Sequence, residues 1–182
     1  MHTQAYDWLK KTRQRISYGA PVLEIGSIDI NGSARELWGN LSPYVGVDIV
    51  AGKNVDYVVD FSDWNVINNR ATHDGLKHDF RTIICTEVLE HVDPKRIIAA
   101  MYPYMADECA VVITAASIKR KPHSADGAPE LKPDEYYKNV TPTLLHTLLH
   151  EYPIYLRLEE CDVILNEDHT DVYAFARYVR VL

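Results

Sequence analysis

The sequence has only three cysteines, Cys85, Cys109 and Cys161, and no two of them form a C-x-x-C pair. That spacing argues against a zinc ribbon or a redox pair. Scattered thiols in odd number fit a reducing compartment, so a cytoplasmic location is expected. No apolar run approaches the roughly 20 residues that span a bilayer, so no membrane partner is expected. Long linkers, low-complexity tracts and internal repeats are missing too. Positive charge is in short supply: 19 Lys and Arg against 26 Asp and Glu leave a net charge of −7. Broad binding to nucleic acid depends on neutralising phosphates, and this balance argues against it. The opening "MHTQAYDWLKKTRQRIS" lacks the apolar stretch of a secretory signal and reads as a short amphipathic helix.

What is there is ordinary for a globular chain: 182 residues, 47% apolar and 25% charged. That suffices for one domain, 1–182, with a real core. Strand-like and helix-like stretches alternate. "PVLEIG" reads as a strand and "SARELWGN" as a helix capped by Ser33. "YVGVDIV" and "VDYVVDF" are further strands, and "DWNVINNRATHDG" is a partly helical connection. "FRTIICTEV" is a fourth strand. "DPKRIIAAMYPYMA" has helical spacing behind Asp93-Pro94, a good start signal. "CAVVITAAS" is apolar almost throughout, as a strand covered on both faces is. "TPTLLHTLLHEY" is a helix, and "IYLRLEECDVI" and "DVYAFARYVRV" form a closing hairpin around Leu165–Thr170.

The alternation predicts an α/β fold: a doubly wound, Rossmann-like, mostly parallel sheet with an antiparallel closing hairpin, seven strands in all. Ligands of such sheets sit beyond the carboxyl ends of the strands, at the switch point of strand order. Glu24 and Gly26 close the first strand there, and the loop continues through Ser27, Asn31 and Gly32. Glycines let a backbone approach a ligand closely, and a helix start favours an anionic group. Asp48, about 20 residues past the glycine loop, is placed to accept ribose hydroxyls. Ile49 follows it. Asp60 ends the third strand, beside Phe61, and could accept from an adenine amino group; Thr86 and Glu87 end the fourth.

In their order and spacing these motifs resemble the class I S-adenosylmethionine-dependent methyltransferases over nearly the whole chain. "VLEIGS…NG" looks like their first motif, "YVGVDI" like the second with Asp48 as ribose acid, and "VVDF" like the third with Asp60 and Phe61 flanking adenine. "FRTIICTEVLEHV" is similar to the fourth in its small-molecule-type form. The resemblance implies S-adenosyl-L-methionine as cofactor and a small-molecule substrate or an exposed group on something larger. The loop departs from E-x-G-x-G-x-G: Ser27, Ile28 and Asp29 fill its centre, so contacts made there do not transfer by position.

On the substrate side, His91 lies one turn past Glu87, and its imidazole suits a general base. The stretch 117–140 is too long for a plain connector and reads as a lid. Within it, "PHSADG" offers His123 and Asp126 as catalytic candidates, while Lys119, Arg120 and Lys121 read as a solvated charged face or an anion site. His146 and His150 lie four apart without a third ligand in sequence, so they read as a surface pair, and no metal is expected. Other readings are a protein that holds the cofactor without catalysis, a nicotinamide binder, against which the sequence has no G-x-G-x-x-G, and a nucleic-acid methyltransferase, against which it has "CTEV" where D/N-P-P-Y/F/W would stand.

Overall fold

The computed structural model describes residues 3–17, 19–63 and 79–181. The chain opens with α1 (Thr3–Arg13), then β1 (Val22–Ile25), α2 (Arg35–Trp38), β2 (Tyr44–Asp48) and β3 (Tyr57–Val58). β4 (Phe80–Thr86), α3 (Pro94–Met101), a 3₁₀ turn (Tyr102–Tyr104) and β5 (Met105–Ala116) follow. α4 (Pro142–His150), β6 (Leu156–Leu165) and β7 (Asp171–Arg180) complete it. The seven strands form one sheet in the order β3-β2-β1-β4-β5-β7-β6. β1 to β5 run parallel, and β7 is antiparallel to both β5 and β6.

Strand periodicity divides the core between the two faces of the sheet. Ile83, Cys85, Val111 and Ile113 pack on one face with Ile97 and Met101 of α3 and Leu145 and Leu149 of α4. Ile84, Ala110, Val112 and Phe175 pack on the other with Leu9 of α1 and Trp38 of α2. Each large buried side chain contributes roughly 1.5–3 kcal/mol, so the doubly covered central strands hold most of the stability. The caps fit the sequence: the Asp93 carboxylate accepts from the Lys95 N–H at 3.1 Å, and Thr141 Oγ1 accepts from the Leu144 N–H at 3.1 Å.

Four elements differ from expectation. The helix begun at Asp93 stops at Met101, because Pro103 enters a 3₁₀ turn and β5 starts four residues before "CAVVITAAS". α2 is a single turn, and β3 is two residues long. Ala34, not Ser33, holds the cap position of α2; Ser33 lies one residue earlier, and its Oγ accepts from the Arg35 N–H at 3.1 Å. Beyond Asp63, the expected connection up to residue 75 lies outside the described residues.

Candidate functional site

Strand order reverses between β1 and β4, so the switch point lies where Ile25 and Thr86 end. There the N–H groups of Gly26 and Ser27 both donate to the Val47 carbonyl, at 2.9 and 3.0 Å. Gly26 has φ +74°, and a Cβ on it would lie 2.1 Å from Cγ2 of Val88, so no other residue fits. Ser27 is buried, and its hydroxyl makes no hydrogen bond among the described residues.

Asp48 is tied to this loop. One carboxylate oxygen accepts from the Ile28 N–H and the other from the Val50 N–H, each at 3.1 Å. Asp29, in the centre of the loop, accepts from the Gly32 N–H at 2.9 Å and from Lys53 Nζ at 2.6 Å. Those bonds hold the carboxyl below its usual range. Asp29 was not among the expected site residues, yet it shapes the loop. Asn31 lies exposed at the loop's outer edge.

Glu24 points to the sheet face that carries α1 and α2. Its carboxylate accepts from the Tyr44 hydroxyl at 2.7 Å and stands 3.5 Å from Ser33 Oγ. Burial pushes its pKa up to about 7, against the pull of the Tyr44 bond. Ile49 is 65% exposed just past β2. Asp60 accepts from the N–H and hydroxyl of Ser62 at 2.8 and 2.6 Å. Its neighbour Phe61 is 3% exposed and packs on Tyr104 with ring centroids 5.6 Å apart. Asp60 and Phe61 thus face opposite ways, and the Phe61 ring belongs to the core.

Thr86 ends β4, and Glu87 has φ +57°, a left-handed backbone costly for a residue with a Cβ. β5 holds it there: the Glu87 N–H donates to the Thr114 carbonyl at 2.9 Å, and Thr114 Oγ1 donates to the Glu87 carboxylate at 2.8 Å.

Past this bend the chain builds an aromatic and acidic cluster. His91 meets His123 edge to face at 5.1 Å, and Tyr137 meets them at 5.4 and 5.1 Å. Burial first, then His123, lowers the His91 pKa to about 4, so its imidazole is neutral at pH 7. Glu90 lies beneath, fully buried. Burial, then Glu87, raises its pKa to about 8. Burial and Glu90 push the Tyr137 phenol up as well. The sequence pattern points to His91 and His123 but not to Glu90 or Tyr137. The E-x-x-E-H spacing was the available signal. Asp126 is not part of this cluster: it pairs with Lys132 at 2.5 Å and accepts from the Ala128 N–H at 3.1 Å, which lowers it to about 2.

The loop 117–140 is closed at its base and pinned at its middle. The Ser117 hydroxyl donates to the Val140 carbonyl at 2.7 Å, and the Val140 N–H donates to Ala116. Glu135 accepts from the Ser124 hydroxyl and the N–H groups of Ala125 and Lys132, at 3.0, 2.7 and 3.0 Å. Arg120 is not a solvated cation. Its guanidinium pairs with buried Asp171, with Nε at 3.2 Å. Lys119 and Lys121 remain exposed.

No protein-family model matches the sequence, and no curated protein matches it. Solved structures do. The 1,6-didemethyltoxoflavin-N1-methyltransferase of Burkholderia thailandensis, with 1,6-didemethyltoxoflavin and S-adenosylhomocysteine bound, aligns over 98% of this chain and 79% of its own at 11% identity, TM-score 0.62. The N-methyltransferase NodS of Bradyrhizobium japonicum, in complex with S-adenosylhomocysteine, aligns over 98% and 87% at 13% identity, TM-score 0.61. The magnesium protoporphyrin IX methyltransferase of Synechocystis, with S-adenosylmethionine bound, aligns over 98% and 79% at 13% identity, TM-score 0.57. The chain therefore has the Rossmann-like fold of the class I methyltransferases.

Proposed function

We propose that this chain is an S-adenosylmethionine-dependent methyltransferase acting on a small molecule or an exposed group. The observation that carries the reading is the junction at the switch point, where the Asp48 carboxylate is bonded to the loop that starts at Gly26. The residues there fit such a cofactor. Gly26 leaves no room for a side chain, the Ser27 hydroxyl is buried without a partner among the described residues, and each Asp48 oxygen keeps a lone pair. In this reading the Gly26–Gly32 loop takes the amino-acid end, Asp48 the ribose and Asp60 the adenine amino group, with exposed Ile49 against the ring.

When bound, the cofactor supplies a methyl already activated on a sulfonium. The chain's task is to align the acceptor and exclude water. The loop 117–140 acts as the cover, and His91, neutral at pH 7, is able to take a proton from the acceptor.

The test is a thermal melt of the full chain with and without S-adenosylhomocysteine. At a hundred times the dissociation constant the ligand adds about 2.7 kcal/mol, a rise of roughly 5–10 °C. A folded chain with no response would overturn the reading. Transfer of a labelled methyl to an acceptor separates an enzyme from a protein that only holds the cofactor.

A further inference from the structure

Glu90, His91 and His123 each offer one ligand atom, and the three atoms lie within 4.8 Å of one another. Several observations mark the group as a built site. Glu90 is 0% exposed; one carboxylate oxygen accepts from the Ala116 N–H at 3.1 Å, and the other, Oε2, makes no hydrogen bond among the described residues. A buried carboxylate oxygen left bare is costly, and it calls for a proton or a cation. Among the described residues no lysine or arginine pairs with Glu90, and the nearby Arg120 is committed to Asp171. His91 Nδ1 is buried and likewise has no partner among the described residues.

His123 is already oriented. Its Nδ1 lies 3.2 Å from the Lys121 carbonyl. A carbonyl only accepts, so the proton sits on Nδ1 and the lone pair on Nε2. Metal-binding histidines are fixed in this way, by a carbonyl at the other ring nitrogen. Tyr137 walls both rings edge-on. Two imidazoles and one carboxylate form a donor set that suits divalent first-row metals. Three protein ligands leave coordination positions open.

We propose that Glu90, His91 and His123 bind a divalent transition-metal cation whose open positions hold an oxygen of the methyl acceptor. The cation site stands on its own geometry; its role toward the acceptor rests on the methyltransferase reading, and with the cation bound His91 gives its lone pair as a ligand, so the cation takes over from His91 in preparing the acceptor. That role selects an acceptor with a hydroxyl. A hydroxyl bound to the cation has a lowered pKa, and its proton leaves to solvent or to a nearby base.

A second group competes for ions: His146, His150 and Cys161 also present ligand atoms within 4.8 Å of one another, on the outside of α4 and β6. The experiment is therefore run in a His146→Ala/His150→Ala background. The full chain is stripped with chelator and titrated calorimetrically with Zn²⁺ and, separately, Mn²⁺. The expected result is one cation per chain. Adding His123→Ala, on a loop whose loss of an imidazole leaves the core intact, weakens binding at least tenfold, and Glu90→Gln does the same. The S-adenosylhomocysteine melt shift survives in His123→Ala. Equal binding with and without His123, or no binding by a folded chain, would overturn the site. Cation binding without any response to S-adenosylhomocysteine would support the site and overturn its role toward a methyl acceptor.

Discussion

Gly127 packs directly on Ile30. A Cβ built on Gly127 would lie 3.1 Å from Ile30 Cγ2 and 3.5 Å from Asn31 Nδ2. The turn of "PHSADG" therefore rests on the loop that follows Gly26, although the two are nearly a hundred residues apart. Gly127 also has φ +85°, where a side chain is strained whatever the space around it.

Gly127→Val tests whether this contact makes the long loop a cover. The strained backbone and the crowding at Ile30 cost about 1–3 kcal/mol, a fall in Tm of roughly 2–10 °C. The expected kinetic signature is a severalfold rise in acceptor KM with the fold retained by circular dichroism. Unchanged kinetics in a folded variant would mean that the loop does not cover the acceptor.

Asp48→Ala should remove two functions at once. The N–H groups of Ile28 and Val50 lose their acceptors, a cost of about 1–3 kcal/mol. The melt shift with S-adenosylhomocysteine should also disappear, because a ribose held by a carboxylate is lost. Asp48→Asn keeps one acceptor oxygen and should fall between wild type and Asp48→Ala in both measurements. An alanine variant that keeps the full ligand shift would remove Asp48 from the cofactor site.

The strands were legible in the sequence because Val, Ile and Ala runs bounded by Gly, Pro or charge leave few other structures. The Gly26 loop and Asp48 were legible because their spacing is fixed by one strand–loop–helix–strand unit. Side-chain direction was harder. Asp60 and Phe61 are adjacent, and the turn past β3 sends Asp60 to the surface, where it accepts from Ser62, and Phe61 into the core. Glu90 was hidden for a different reason: the partner of its buried carboxylate is the Ala116 N–H, which comes from β5, 26 residues away. The pairing of Asp126 with Lys132 is a local turn effect that the triplet of histidine, serine and aspartate does not announce.

Arg120 should behave unlike its neighbours. It pairs with Asp171, which is 2% exposed and also bonded to Asn166. Removing one partner of a buried pair leaves an uncompensated charge, and Arg120→Ala should cost about 3 kcal/mol. Lys119→Ala and Lys121→Ala, on the exposed face, should stay within about 0.5 kcal/mol of wild type. Urea unfolding of the three variants separates the cases. Equal, small effects at all three positions would return Arg120 to the solvated face that the sequence pattern "KRK" first suggests.

Glu24 gives the chain a pH dependence of definite sign. Its carboxyl titrates near 4.5 when unfolded and is pushed up to about 7 in the fold, chiefly by burial. Between those values the folded state holds a proton that the unfolded state has released. Stability contributed by this group is therefore present at low pH and is lost as pH rises from 4.5 through 7, by about 3 kcal/mol in all. Glu24→Gln cannot release a proton and keeps an oxygen able to accept from Tyr44, so the variant should lack this loss. Melts of the two proteins at pH 5 and pH 8 isolate the effect: the wild type should lose roughly 6–12 °C more than the variant over that interval. Parallel pH profiles would mean that Tyr44 and Ser33 solvate the carboxylate as well as water does, and that burial of Glu24 carries no penalty.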